Sequence, residues 1–450
     1  MDFVPHTEDE FSEMLDEIGV KSFDELVSSI PPELRKFELK IPAGLTEMDV
    51  RRLLTGLAKR NLPTTECDSY LGGGAYEHYI PSVVGHLAGR AEFYTAYTPY
   101  QPEASQGSLQ AMFEYQTAIC ELTGMEISNS SLYDAGSAVA EAAIASLRVG
   151  RNRNKIVVSK AVHPEHRTIL RTYMRGMGIE VEEVGYDNGT TDMSALDAAV
   201  DNDTAGVIMQ SPNFFGCIEE METAVKAAHD NNALLIAVVN PITLGVLKPP
   251  GEYGADIAVG DGQPLGIPMS YGGPYLGFFA CTEKILRKVP GRLIGLAKDG
   301  DGRRGFLMTL QAREQHIRRD KATSNICTNQ ALMAIHALVF LCCLGKEGIR
   351  EVGELNIKNS HYACESICSN PEIGRKFDAP FFNEFVVELE VSPKELNEQL
   401  VKHGILGGIP LGWWYPELAD SMLICVTETK TKEQIDRFTK ILEELNCRAS

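Results

Sequence analysis

Residues 131 to 150 read SLYDAGSAVAEAAIASLRVG, and the small residues Ala135, Gly136, Ser137 and Ala138 open what reads as a helix. Free backbone N–H groups at a helix start, with the Ser137 hydroxyl beside them, can converge on a phosphate at the positive end of the helix dipole. The same residues also suit close packing of an alanine-rich helix on a sheet, and both readings stand at this point. In VVSKAVHPEHR, residues 157 to 167, His163 follows an apolar strand. Open α/β sheets bind ligands along the carboxyl edge of their strands, so an imidazole there can stack on a planar ring. A histidine capping the next helix is the alternative, and His166, one turn further on, reads as a surface residue.

An anion cradle followed by a ring-stacking histidine predicts the frame of a pyridoxal-phosphate site. That cofactor needs a lysine to hold its aldehyde covalently and an acid to keep its ring nitrogen protonated. The strand that should end in the acid lies in NNALLIAVVNPITLGVLKPPG, residues 231 to 251, which contains no Asp or Glu. Where the lysine should follow, the chain reads GADIAVGDGQPLG, and from Pro249 through Thr282 there is neither Lys nor Arg. Lys248 and Lys284 flank the gap, the first against Pro249 and Pro250 and the second in TEKILRKV, and neither is placed to serve. The frame is predicted to lack its own nucleophile.

Two further segments carry chemistry. FYTAYTPYQPEASQGSLQAMF, residues 93 to 113, presents Tyr94, Tyr97 and Tyr100 on a proline-stiffened loop with Glu103 as its single charge. Such tyrosines offer aromatic area with a hydroxyl tip, useful beside a substrate or at an interface. LQAREQHIRRDKATSNICTNQ, residues 310 to 330, gathers Arg313, His316, Arg318, Arg319 and Lys321 in a chain that is otherwise acidic. Cations that oppose the global balance are suited to orienting a carboxylate or an acidic partner, although a solvated helix with pairs such as Glu314 and Arg318 has the same composition.

These groups need a scaffold. KIVVS (155 to 159), GVIMQ (206 to 210), ALLIAVV (233 to 239), ADIAV (255 to 259) and LGFFAC (276 to 281) are near-continuous apolar runs, as expected of strands covered on both faces. Helical stretches such as ETAVKAAHDN separate the earlier ones, which predicts a mostly parallel sheet between helices. The first 60 residues hold helix-start pairs, Thr7 with Glu10, Ser22 with Glu25 and Thr46 with Asp49, and read as a helical extension. ALMAIHALVFLCCL, residues 331 to 344, is shorter than the roughly 20 residues of a bilayer span and reads as a buried helix. EFVVELE (384 to 390), MLICVTE (422 to 428) and helices opening at Ser392 and Thr431 predict a compact α+β domain after it. The expected division is 1–60, 61–330 and 331–450.

Sixty-two acids against 42 bases leave a net charge of -20, which disfavours nucleic acid and anionic membrane surfaces as partners. The acidic, interrupted first 20 residues fit neither a secretory signal nor a transit peptide, so the cytoplasm is the expected compartment. Eleven cysteines without a CxxC predict reduced, mostly buried thiols. His361, Cys364 and Cys368 are too few and too loosely spaced for a structural zinc site, so no metal is expected.

YTPYQPEASQG (97 to 107), LYDAGSAVAEA (132 to 142), IPMSYGGPYLGFFA (267 to 280) and PGRLIGLAKDGDGRRGFLMTLQAREQHIRRDKATSNICT (290 to 328) closely resemble the glycine decarboxylase family, the P-protein of the glycine cleavage system. The resemblance covers nearly the whole chain. It implies an α/β fold, type I of the pyridoxal-phosphate-dependent transferases, with a mostly parallel central sheet, the N-terminal helical extension and a C-terminal α+β small domain. It further implies a two-chain enzyme, commonly α2β2, in which subunit 2, the partner, binds pyridoxal phosphate covalently while this chain departs near Gln263 and Pro264. The implied reaction is glycine decarboxylation with transfer of the aminomethyl carbon to the lipoyl group of H-protein. On that reading Gly136, Ser137 and His163 are a vestigial cofactor site, and Tyr94, Tyr97 and Tyr100 reach the shared site. Arg313, His316, Arg318, Arg319 and Lys321 orient the substrate or receive a partner. The rival expectations are a self-sufficient pyridoxal-phosphate enzyme and a noncatalytic regulatory or scaffold subunit.

Overall fold

The computed structural model of the chain describes residues 6–35, 40–150, 152–326 and 328–446. It divides into two units, Met1–Pro63 and Thr64–Ser450. In the first, helix α1 (Glu8–Ile18) opens on a reciprocal capping box between Thr7 and Glu10, and α2 (Glu47–Ala58) is capped by Thr46. Neither helix has a buried residue, and Phe11, Met14, Ile18, Leu53, Leu54 and Leu57 are exposed.

The second unit begins with α3 (Gln106–Thr123), β1 (Ile127–Ser128), α4 (Ala135–Val149), β2 (Lys155–Ser159), α5 (Pro164–Met177), β3 (Glu180–Val184) and β4 (Thr204–Gln210). It continues through α6 (Met221–Asp230), β5 (Leu234–Val238), β6 (Ile257–Asp261) and β7 (Gly277–Cys281). These seven strands form one sheet in the order β1-β7-β6-β5-β4-β2-β3, and β7 alone runs antiparallel to its neighbours. Successive strand residues face opposite sides, so Phe278 enters the core on the α3, α6 side while Phe279 enters the core under α4 and α5. Each ring is fully buried, worth about 1.5–3 kcal/mol apiece, and burial on both faces is why these strands read as unbroken apolar runs.

Beyond the sheet, β8 (Leu293–Lys298) and β9 (Arg304–Thr309) form an antiparallel hairpin that the sequence reading did not separate from its surroundings. Helix α3 holds both of its strands by side chains. The Gln106 amide donates to the Phe306 carbonyl at 2.8 Å and accepts from the Phe306 N–H at 2.9 Å, and Gln116 does the same to Ile294 at 3.0 and 2.9 Å.

Helix α7 (Ala331–Ile367) carries the 331 to 344 run and breaks at Gly345, where φ is 63°. Its core-facing stripe passes through Ala334, Ala337, Leu338 and Phe340, which leaves Cys342 and Cys343 exposed, against the expectation of buried thiols. After it come β10 (Gly374–Arg375), β11 (Glu384–Glu388), α8 (Pro393–Leu400), β12 (Ile409–Pro410), β13 (Ser421–Cys425) and α9 (Lys432–Leu445). The four strands pair antiparallel as β10-β11-β13-β12, and α9 lays Ile435, Phe438 and Leu442 into the same apolar cluster as Phe385 and Ile424.

Candidate functional site

The carboxyl ends of β4, β5 and β6 bring Gln210, Asn240 and Asp261 together at the start of α4, beside His163 and His166 of α5 and the loop residues Gly74 and Tyr76. The cavity they line is about 40 Å³. At 10–15 Å³ per water centre it holds roughly three waters, far below the ~300 Å³ at the bottom of the range for small-molecule pockets.

Each predicted member of this site has a structural duty. Asp134 is the N-cap of α4: its carboxylate accepts the Ser137 N–H at 2.7 Å, and the Ser137 hydroxyl accepts the Asp134 N–H at 3.2 Å. The hydroxyl expected to meet a phosphate therefore closes a capping box. Gly136 is small for packing, since a Cβ there would lie 2.4 Å from Ile169 Cδ1. His163 caps α5, so the alternative reading of this residue is the one the structure realises. Its Nδ1 accepts the Glu165 N–H at 3.2 Å, which leaves Nε2 to carry the proton that it donates to the Gly73 carbonyl at 2.7 Å. The ring is thus held as one neutral tautomer, and burial pushes its pKa down.

His166 departs from the surface role expected of it. Its ring stacks on His163 with centroids 4.4 Å apart, and it lines the cavity. Burial holds it well below the ordinary histidine range. A spacing of three residues on α5 puts both rings on one helix face, a signal present in HPEH.

The loop over the cavity is braced by the C-terminal sheet. Glu384, the first residue of β11, accepts the Gly73 N–H at 2.7 Å and the Tyr76 hydroxyl at 2.8 Å. Burial pushes its carboxyl up to about 7. Gln263 ties the same loop to the sheet, accepting from the Tyr76 N–H at 2.9 Å and donating to the Tyr76 carbonyl at 3.0 Å. The position near which a cofactor lysine was expected is thus occupied by a buried amide with both ends satisfied.

The residues present do not fit pyridoxal phosphate. The cavity is too small, Asn240 stands at the strand end where an acid is required, and no lysine lines the pocket. The anion cradle is also filled. Asp261 Oδ2 accepts the Ala135 N–H at 3.2 Å, while Oδ1 accepts the Gln263 N–H at 2.8 Å and the Leu276 N–H at 3.4 Å. A phosphate oxygen about 4 Å from this carboxylate would meet roughly 4 kcal/mol of repulsion per unit charge at an effective dielectric of 20.

The second candidate region gathers residues from both remaining segments. The Tyr100 ring lies edge-on to His316 at 6.3 Å between centroids, and the Arg292 guanidinium lies 5.8 Å from the Tyr100 ring centre. Tyr94, which ends a short helix over Ala91–Tyr94, and Tyr97 in the segment after it stand exposed. Arg313 is turned inward, donating from Nε to the Leu310 carbonyl at 3.1 Å, from Nη2 to the Gly291 carbonyl at 3.0 Å and from Nη1 to the Val289 carbonyl. It pins the turn before β8, and its burial lowers its pKa. Arg318, Arg319 and Lys321 are exposed and take no ion pair among the described residues, so the expected pairing of Glu314 with Arg318 is absent among them; Glu314 instead lies 3.5 Å from His316. Outward stand Tyr94, Tyr97, Arg318, Arg319 and Lys321, side chains able to receive an anionic or aromatic group.

The chain matches the family model described as the glycine cleavage system P-protein over residues 1–442. It is 51% identical over 446 residues to a probable glycine dehydrogenase (decarboxylating) subunit 1 of Desulfitobacterium hafniense, covering 99% of this chain and 100% of that protein. It is 53% identical over 436 residues to the like-named protein of Bacillus licheniformis, covering 96% and 97%. Among solved structures it is similar to a glycine decarboxylase (P-protein) of the glycine cleavage system in inhibitor-bound form, with a TM-score of 0.91, 42% identity and coverage of 99% and 100%. A glutamate decarboxylase of Lactobacillus brevis, at 13% identity and a TM-score of 0.69 over 92% of this chain and 96% of that one, shares the fold.

Proposed function

Because the chain belongs to the glycine cleavage system P-protein family, we propose that it is the lysine-lacking subunit of a two-subunit glycine decarboxylase, active only when joined to a second chain that bears the cofactor. Its relatives are named as subunit 1 of glycine dehydrogenase (decarboxylating), a name that calls for a second subunit. The observation that carries the division of labour is the filled cradle. A type I frame is present, yet its cavity of about 40 Å³ is lined by Asn240 and Asp261 where an acid and an anion site are needed, and Gln263, near which a lysine is needed, is tied to Tyr76.

Pyridoxal phosphate, held covalently on the partner, would supply the electron sink for loss of carbon dioxide from glycine. This chain contributes orientation and assembly. Its Tyr94, Tyr97 and Tyr100 loop, backed by Arg292 and His316, is the surface assigned to the shared site, and exposed Arg318, Arg319 and Lys321 are assigned to receiving the lipoyl carrier, H-protein, or to holding the second subunit. The cytoplasm is the proposed compartment, supported by the free thiols of the described cysteines. A net charge of -20 supports the absence of nucleic acid and membrane partners.

The test is reconstitution. Glycine-dependent exchange of labelled bicarbonate is expected from the two chains together and from neither alone, and borohydride reduction is expected to fix the cofactor on the partner. Exchange by this chain in isolation, or cofactor fixed on it, would refute the reading. Phenylalanine at Tyr94, Tyr97 and Tyr100 is expected to lower exchange in the complex; unchanged turnover would make the chain a scaffold.

A further inference from the structure

The helix start that the fold offers to a cofactor phosphate has a partner already. At the first turn of α4, the Ala135 N–H is taken by Asp261 and the Ser137 N–H by Asp134. The second of these is an ordinary cap, made by the residue next to the helix. The first is different, because Asp261 comes from the end of β6, 126 residues along the chain, and reaches across the carboxyl edge of the sheet. Its backbone position is fixed by pairing with Gly277 of β7, and Gly277 in turn lies so close under Asp134 that a Cβ would sit 2.5 Å from the Asp134 carbonyl oxygen. The carboxylate is therefore delivered to the helix start by the sheet itself.

We infer that the Asp261 carboxylate is an internal anion seated in place of a cofactor phosphate, and that it bars phosphate and phosphorylated ligands from this chain's own pocket. Its three N–H donors, from Ala135, Gln263 and Leu276, come from separate segments, so they form the multi-segment backbone grip usually given to a bound anion. Burial raises its pKa to about 7 against the lowering effect of these N–H bonds, so the carboxyl acts as the anion above that pH. His163 and His166, which line the same cavity and whose positive forms burial disfavours, supply no cation to offset the Asp261 charge. The inference concerns this pocket alone and extends the reading of the chain as the cofactor-free subunit.

The experiment titrates the full-length chain with inorganic phosphate, and separately with pyridoxal phosphate, at about pH 8, where Asp261 is mainly ionised. Binding is followed by phosphorus NMR line broadening and calorimetry. Wild type is expected to show no saturable binding of either ligand up to about 10 mM, while Asp261→Ser binds inorganic phosphate at least ~10-fold more tightly than wild type's limit. Asp261→Asn, which keeps the shape and removes the charge, serves if the serine variant does not fold. Saturable phosphate or pyridoxal-phosphate binding in the pocket of wild type overturns the inference. So does a folded Asp261→Ser or Asp261→Asn chain that binds no better than wild type. Neither result bears on whether the isolated chain turns over glycine, so failure here is distinct from failure of the proposed function.

Discussion

Glu384→Gln should change the pH dependence of stability in a way that only a buried, ionisable brace explains. In the native chain the carboxyl is 3% exposed and accepts the Gly73 N–H and the Tyr76 hydroxyl. The gap between an ordinary glutamate at 4.5 and the folded value of about 7 corresponds to roughly 3 kcal/mol, at 1.36 kcal/mol per tenfold change in proton affinity. The sign follows from linkage. Well below pH 4.5 the group is neutral in both states and its full contribution is present; as pH rises from 4.5 to 7 the unfolded chain ionises first and the native state loses that ~3 kcal/mol. Glutamine stays neutral and can keep both partners, with its carbonyl accepting from Gly73 and its amide donating to the Tyr76 oxygen, at a net cost of about 1 kcal/mol for poorer geometry. The variant should therefore be about as stable as wild type near pH 5, where roughly 0.8 kcal/mol of the wild-type contribution is already lost, and about 2 kcal/mol more stable near pH 8.5. Urea unfolding of the full chain, followed by circular dichroism at both pH values, measures the difference, in which the other carboxyls that burial raises, Glu141 and Asp261, cancel because both chains carry them. A difference that stays constant between them would show that the carboxyl is not desolvated, and the reasoning about the brace would fall.

Gly277→Ala should cost about 1–3 kcal/mol, read as a lower thermal midpoint, because its Cβ would press on the Asp134 main chain. Gln116→Ala removes both bonds to Ile294, worth about 1–3 kcal/mol, and should speed hydrogen exchange across Leu293–Lys298; unchanged exchange would mean the hairpin stands without its clamp. Nitrogen-15 NMR of the histidines should find His163 ionising below the ordinary histidine pKa, with the proton of its neutral ring on Nε2.

Much of the sheet was legible because KIVVS, GVIMQ and LGFFAC are covered on both faces, and burial on both sides leaves a local mark in composition. The β8–β9 hairpin was not. Leu296 faces outward and Lys298 closes the strand, so the run lacks that mark, and its support comes from Gln106 and Gln116 nearly 200 residues earlier. The same limit governs the site. Missing acid and lysine could be read along the chain, since they are absences at expected positions. Asp261 reads as a turn residue in GDGQ, and only the fold shows that its side chain ends at Ala135. Arg313 sits in a run of cations, yet its guanidinium is spent on three carbonyls. Charge runs give composition, not direction.

The Asp261 contact also makes the departure from cofactor chemistry hard to retrace. A lysine put in place of Gln263 would arrive with the carboxylate still on the Ala135 N–H, and it would sever the Gln263 ties to Tyr76 that close the loop. Removing Asp261 first would open the cradle with no amine to use it. Each single step back loses something before it gains anything, so the two changes act together as a ratchet that holds the chain to dependence on another.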